Sequence, residues 1–194
     1  MEPLKDESKG DLARKMWLRR VGIVRSPLKE LSLVADSGDL EHRPQMMETR
    51  ENMIRVISEL AIDSDLAGIL DGTEDFSHLL VLYWAHRVLP ERRSIIKGHP
   101  RGRKDFPLVG IFATRSPARP NPVCATVVRL LERKGNVLKV QGLDAIDGSP
   151  IIDIKPYTPH YEAVSEVKLA DWMVRIHREF AEGLITGGDS EETW

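Results

Sequence analysis

The apolar positions of the chain fall into short runs separated by turn residues. Val21-Gly22-Ile23-Val24 is a mostly β-branched run that Arg25-Ser26-Pro27 brings to an end, because proline cannot donate to a ladder, and it predicts a first strand. Between Met53 and Ile62 the residues Ile54, Val56, Leu60 and Ile62 recur at every second position, interrupted by Ser58, which predicts a strand buried on one face. Leu66 to Leu70 reads as one helical turn that Asp71-Gly72 breaks. Ser77 to Ala85 is nearly all apolar and predicts a central strand buried on both faces. Strand signals resume at Val109 to Ala113, Cys124 to Leu131, Val137 to Leu143 and Ile151 to Ile154, with Gly135-Asn136 as a tight hairpin turn because both residues tolerate positive φ. After Pro159 the period lengthens. Val164, Val167, Leu169, Met173, Ile176, Phe180 and Leu184 are spaced mostly by three or four, which predicts a C-terminal amphipathic helix ended by Gly187-Gly188.

Short strands at close spacing predict a mainly β fold, an antiparallel barrel or sandwich rather than a doubly wound sheet. No G-x-G-x-x-G follows any strand, so a Rossmann nucleotide site has no local support. With 194 residues and 41% apolar content the chain can bury one good core; two full domains would be cramped. The reading is a tail over residues 1–18, a domain over 19–160 and a helical extension over 161–194. Met1 to Trp17 alternates charged and small residues without the apolar stretch of a secretory signal, and no run approaches the roughly 18 apolar residues of a membrane span. The single cysteine, Cys124, excludes an intramolecular disulfide and a cysteine metal cluster. A soluble, cytoplasmic protein is the expectation.

Charge narrows the picture. Lys plus Arg total 28 against 30 Asp plus Glu, a net of -2, so any polyanion site must be local. Residues 87–107 are such a place: Arg87, Arg92, Arg93, Lys97, Arg101, Arg103 and Lys104 stand among prolines and glycines with Glu91 and Asp105 the only acids, which predicts a long, mobile, basic surface loop.

Two segments could carry chemistry. Phe112 to Pro122 holds Pro117, Pro120 and Pro122, which fix the backbone, and Arg115 and Arg119, four residues apart. A rigid cationic loop suits a carboxylate or a phosphate; alternatively the arginines pair with surface acids and the prolines stop an edge strand. In Leu143 to Pro150 the Asp-Gly-Ser-Pro sequence is a turn signal, so Asp147 and Gly148 either make an ordinary bend or present backbone groups to a small polar ligand. Asp153 and Lys155 beyond it either serve that ligand or form an ion pair on one strand face. His78 and His86 bracket the apolar strand, where a lone histidine is more often a satisfied core residue than a ligand. No H-x-x-x-H or similar spacing argues for a metal. No G-x-S-x-G surrounds a serine, and Cys124 lies in an apolar run where a thiol acts as a small hydrophobe, so covalent nucleophilic catalysis is disfavoured.

Asp75-Phe76-Ser77-His78-Leu79, Gly110 to Ser116 with Arg119-Pro120-Asn121-Pro122, and Leu143-Asp144 through Asp147-Gly148-Ser149-Pro150 to Asp153-Ile154-Lys155-Pro156-Tyr157 resemble, in order, the motifs of the TsaA/TrmO family, also called YaeB-like or VirR-like. The similarity covers about residues 20 to 160. The resemblance implies a small closed antiparallel β-barrel that binds S-adenosylmethionine, forms a homodimer and methylates N6 of threonylcarbamoyladenosine at position 37 of tRNA. It also implies a cofactor site of His86, Arg87, Arg115, the backbone at Ala125 and the turn Asp147, Gly148, Ser149, Pro150. Substrate contacts would come from Arg119, Asn121, Asp153, Lys155 and Tyr157, with Arg101 and Arg103 following tRNA phosphates; no metal and no catalytic side chain is assigned. Two departures stand out: Arg87 occupies a position where the family often has glutamine, and the family's early Pro-Arg-Gln-like loop has no clear counterpart at Val34 to Leu40. Rival readings with the same pocket are a small-molecule methyltransferase and a non-catalytic regulatory module that binds S-adenosylmethionine.

Overall fold

A computed structural model describes residues 17–29, 33–36, 39–42 and 50–182. Six strands close into an antiparallel barrel: β1 (Gly22–Arg25), β4 (Ile57–Ile62), β5 (His78–Trp84), β8 (Val123–Lys134), β9 (Val137–Gln141) and β10 (Pro150–Pro156), in the ring order β1-β10-β5-β8-β9-β4. Two small ribbons lie outside the ring. One pairs β2 (Leu33–Asp36) with β3 (Asp39–His42), a hairpin that the apolar pattern does not announce; the other pairs β6 (Lys97–Gly98) with β7 (Val109–Gly110). The helices are short: α1 (Arg50–Arg55), α2 (Pro159–Glu162) and α3 (Asp171–Ala181).

The barrel interior is filled by Val24, Leu60, Leu79, Val81, Val128, Leu138, Val140, Leu143 and Ile151, all buried. Each such side chain stabilises the fold by about 1.5–3 kcal/mol relative to an exposed one. The Ser58 interruption lies on the buried face of β4, where its hydroxyl donates to Ser26 Oγ at 3.3 Å. The ring is closed by β1, which has only 4 residues yet bonds β4 along one edge and β10 along the other. Gly22 makes that possible: a Cβ there would sit 2.4 Å from the Ala61 carbonyl oxygen and 2.9 Å from the Ile62 Cα.

Several expectations give way to the structure. The predicted strand starts at Ile57 rather than Met53, because Arg50–Arg55 is rich in helix formers and forms α1, leaving Ile54 exposed. The turn expected at Leu66 to Leu70 is a 3-10 turn over Ser64–Leu66. β5 is fully buried on its inner face only; Leu80, Leu82 and Trp84 point out of the ring and are half-buried, since the outer face of a barrel has no second layer. Val109 to Ala113 keeps only two strand residues before a 3-10 turn over Ile111–Ala113, closed by Thr114 bonding back to the Ile111 carbonyl. In the 135–136 turn only Gly135 has positive φ, +56°. The long C-terminal helix is broken. Glu166 adopts φ 57° and Val164, Val167 and Leu169 are exposed, so the stripe reduces to α3, with Ile176 buried and Trp172, Met173 and Phe180 half-buried. The expected end at Gly187-Gly188 and residues 1–16 of the expected 1–18 tail lie outside the described residues.

Substitution Gly22→Ala is expected to cost about 1–3 kcal/mol through forced overpacking against backbone. Gly110→Ala, at an ordinary φ with nothing within 4 Å of the added methyl, is expected to stay within about 0.5 kcal/mol. Urea unfolding midpoints of the two variants check the contrast, and equal midpoints contradict it.

Candidate functional site

The antiparallel register carries the ends of β1, β5 and β9 and the starts of β8 and β10 to one rim of the barrel. The chain leaves β9 at Gln141, continues beside β8 until Asp144 is level with Thr126, and then crosses the rim to β10. Leu143, Ala145 and Ile146 are buried along this crossing and plug the end of the core, while Asp144 and Gly148 stay exposed.

The turn at 147–149 is anchored to the segment after β1. The Ser26 N–H donates to Asp147 Oδ1 at 2.9 Å and Lys29 Nζ to Asp147 Oδ2 at 2.8 Å. Backbone bonds from the Asp147 N–H to the Leu28 carbonyl (2.7 Å) and from the Gly148 N–H to the Val24 carbonyl (2.9 Å) run alongside. Arg87 donates to the Lys29 carbonyl at 2.6 Å, which places it on the same anchor. Gly148 has φ +77°, a conformation that favours glycine, and the His86 ring lies 3.8 Å from where a Cβ would be, at ordinary contact distance. Two buried polar atoms here have no partner among the described residues: His86 Nδ1 and Ser149 Oγ, the serine being fully buried. Burial first, and Arg87 second, hold the His86 imidazole below its ordinary pKa, so it is neutral at pH 7.

The second half of the rim is built on β8. Arg115 donates to the Ala125 carbonyl at 2.8 Å, so the Phe-Ala-Thr-Arg-Ser run and the start of β8 form one wall. Tyr83, from the inner face of β5, donates its hydroxyl to Asp144 Oδ1 at 2.9 Å, and the Thr126 hydroxyl donates to the same oxygen. Burial and the Asp144 charge raise the Tyr83 phenol far above its usual range, so it remains a donor. Arg119 behaves differently from Arg115. Its Nε donates to the Ser116 carbonyl at 2.7 Å and its Nη2 to the Thr114 carbonyl at 2.6 Å, so it braces its own loop.

His86, Arg87, Arg115, Ala125 and Asp147 to Pro150 therefore share one rim. Asn121, whose carbonyl accepts the Val123 N–H at 2.7 Å, lies beside them at the start of β8. Lys155 and Tyr157 lie toward the opposite rim: Lys155 is paired in register with Leu80, and the Tyr157 N–H bonds the His78 carbonyl at 3.0 Å. Asp153 points its carboxylate to Lys155 Nζ at 2.6 Å, the ion pair open from the sequence. Arg101 and Arg103 lie under α3. Arg103 binds Asp105 through Nη2 at 2.6 Å and also Glu179 of α3, while Arg175 binds Asp105 and Glu179 at 2.6 Å each. The Arg103 and Arg175 guanidiniums lie 4.2 and 4.9 Å from the ring centroid of the buried Phe106, and Arg101 stacks on Phe180 at 4.8 Å. Hydrogen bonds from Arg103 pull Asp105 down to about 2. The 87–107 segment is thus an ordered strap: β6 pairs with β7, and residues 101–106 are fastened to α3, whose Glu179 joins the local Asp105 in supplying counter-charge.

Residue-type reasoning did not single out Ser26, Lys29, Tyr83, Thr126 or Asp144. Lys29 and Ser26 meet the site only through barrel closure; for Tyr83 the signal was a hydroxyl in an otherwise apolar strand, which needs a buried partner. Among the described residues no cluster of His, Cys, Asp or Glu could hold a metal, and no helix is long and apolar enough to cross a membrane.

The Lys29 ammonium and the Ser26 N–H lower the Asp147 carboxyl below its ordinary pKa, so its stabilising contribution is complete above the usual carboxylate range and is lost as pH falls through the lowered folded value. Asp147→Asn is expected to lower the melting temperature at pH 7 and to narrow that loss as the pH is lowered below about 4. A wild-type to variant difference that does not change with pH contradicts this linkage.

A model of the tRNA-methyltransferase O N-terminal domain matches residues 38–163. The chain is 43% identical over 140 residues to a probable S-adenosyl-L-methionine-binding protein of Methanothermobacter thermautotrophicus, covering 72% of this chain and 88% of that one. It is 40% identical over 152 residues to a probable S-adenosyl-L-methionine-binding protein of Archaeoglobus fulgidus, covering 78% of this chain and 37% of the relative. It is 31% identical over 160 residues to the tRNA (adenine(37)-N6)-methyltransferase of Escherichia coli, covering 76% of this chain and 60% of that enzyme. The crystal structure of TrmO from Pseudomonas aeruginosa superposes with a TM-score of 0.59 at 27% identity, covering 79% of this chain and 61% of that one. The chain thus spans less than two thirds of the length of the Escherichia coli enzyme, of the Archaeoglobus relative and of the Pseudomonas structure. With the family model covering most of the barrel and the solved fold matching its topology, the chain belongs to the family of tRNA-methyltransferase O N-terminal domains.

Proposed function

We propose that this chain binds S-adenosylmethionine at the rim and transfers its methyl group to N6 of adenosine 37 in tRNA, the base carrying a threonylcarbamoyl group, and that it works as a homodimer in the cytoplasm. The observation that carries this reading is the gathering of His86, Arg87, Arg115, Ala125 and the 147–150 turn, distant in sequence, on one rim. The residues fit the cofactor: His86 Nδ1 and Ser149 Oγ are buried polar atoms with no partner among the described residues, the exposed Arg115 fork has N–H groups beyond the one spent on Ala125, and Gly148 carries no side chain beside the His86 ring. The names of the archaeal relatives, S-adenosyl-L-methionine-binding proteins, and of the Escherichia coli enzyme support cofactor and reaction class.

Bound S-adenosylmethionine would supply a methyl group activated on a sulfonium. Arg115 would hold a carboxylate bidentately, as guanidinium forks do. His86, neutral at pH 7, would place no second cation beside the sulfonium, and the Asp147 bridges would fix the turn against which the ligand rests. Positioning is the protein's main contribution to an in-line methyl transfer, worth on the order of 7 to 11 kcal/mol in ideal cases.

Because Arg103 is neutralised by Asp105 and Glu179, tRNA phosphates are assigned instead to the exposed Lys97 and Lys104 of the same strap. That neutralisation also favours the rival reading of a small-molecule methyltransferase. Purified protein with labelled S-adenosylmethionine is expected to methylate tRNA bearing threonylcarbamoyladenosine and not tRNA lacking it, as read by nucleoside mass spectrometry. Alongside that assay, Lys97→Ala with Lys104→Ala is expected to weaken tRNA affinity and to lower its log–log salt slope by about 1 for each phosphate that is no longer neutralised. Cofactor binding without transfer to either tRNA points to the small-molecule or regulatory reading.

A further inference from the structure

The site described so far leaves the proton of the accepting nitrogen without a destination. Of the carboxylates on this rim, Asp147 has both oxygens engaged, by Ser26 N–H and Lys29 Nζ, and Glu59 faces Arg25 at 3.4 Å. Asp144 is held differently. It is an exposed residue whose Oδ1 accepts two hydroxyl hydrogen bonds, from Tyr83 at 2.9 Å and from Thr126, while its Oδ2 has no hydrogen-bond partner among the described residues. Two donors on one oxygen fix the plane of a carboxylate, so the lone pairs of the other oxygen point in a set direction. Tyr83 is itself immobilised, 5% exposed on the inner face of β5, and Arg115 grips the Ala125 carbonyl one residue from Thr126, so the cationic and anionic groups flank the same stretch of β8.

We propose that Asp144 is the catalytic proton acceptor for methyl transfer, with Tyr83 and Thr126 as positioning residues; the proposal rests on the methyltransferase reading given above. The N6 lone pair forms the N–CH3 bond as the CH3–S bond breaks and its electron pair returns to sulfur, and the N6–H proton passes to Asp144 Oδ2, from which solvent removes it. No oxidant or further reactant is needed. A carboxylate suffices because the carbamoylated N6, a poor base before transfer, becomes strongly acidic as it gains the methyl group. The titratable groups that sense the Asp144 charge are Tyr83 from β5 and Cys124 from β8, both neutral at pH 7, and Arg115 reaches the neighbouring β8 carbonyl at Ala125.

The test compares wild type, Asp144→Asn and Tyr83→Phe in single-turnover methylation of tRNA carrying threonylcarbamoyladenosine, with calorimetric Kd for S-adenosylmethionine and filter-binding Kd for tRNA. Asp144→Asn keeps acceptors for both hydroxyls and is expected to slow transfer by roughly 100-fold or more while both Kd values change by less than about threefold. Tyr83→Phe is expected to lose less rate than Asp144→Asn while both Kd values again stay within about threefold of wild type, the pattern of a residue that positions the acceptor without holding either ligand. An Asp144→Asn rate within about threefold of wild type overturns the proposal, as does a large loss of cofactor affinity, which would make Asp144 a cofactor contact. A wild-type chain that binds cofactor yet methylates no tRNA overturns the underlying function and this assignment together, whereas active wild type with active Asp144→Asn removes this assignment alone.

Discussion

β1 is hydrogen-bonded along both edges, to β4 on one side and β10 on the other, and it meets β4 so closely that position 22 has no room for a side chain. Both the core and the candidate site depend on that seam. A four-residue strand contributes little surface of its own, but without it the interior faces of β4 and β10 would be open edges. The same seam carries Ser26 and Lys29 to Asp147, residues more than a hundred positions away, and so sets the turn that the His86 ring packs against.

A second long-range constraint acts outside the ring. The Arg103, Asp105, Arg175 and Glu179 side chains interlock around Phe106 and fasten α3 to the strap between β5 and β7. Its members are only partly exposed, with Glu179 at 13%, so the network is better shielded than isolated surface pairs, which are worth about 0–1 kcal/mol. Its consequence is that the Arg103 charge is balanced within the fold, while Lys97 and Lys104 of the same strap stay exposed.

Strand existence was legible from apolar runs: Ser58, Leu60 and Ile62 kept the period of two that burial on one barrel face imposes, and the apolar stretch at 77–85 marked β5, although only its inner face proved fully buried. What failed were places where long-range partners decide. Ile54 continued the alternation but belongs to α1, the Val164 to Leu169 stripe is exposed, and the outer face of β5 is apolar without being fully buried. The site shows the same division. Turn chemistry, the proline-braced arginine loop and the family motifs named residues that the fold gathers on one rim. The difference between Arg115, which reaches across to Ala125, and Arg119, which folds onto its own loop, is a matter of side-chain direction that four-residue spacing does not encode. Asp144 stood inside the motif read from the sequence, but its partners did not show there, because they come from two other strands and only the fold brings them level.

The central claim is that the rim joining β1, β5, β8 and the 142–149 crossing is where S-adenosylmethionine sits. A crystal structure of the chain with that molecule tests it most directly. The account predicts density on this rim, with the ligand's carboxylate at Arg115 and its remaining polar groups against His86 and the Asp147 to Pro150 turn. Density at the opposite rim, near Lys155 and Tyr157, would contradict it.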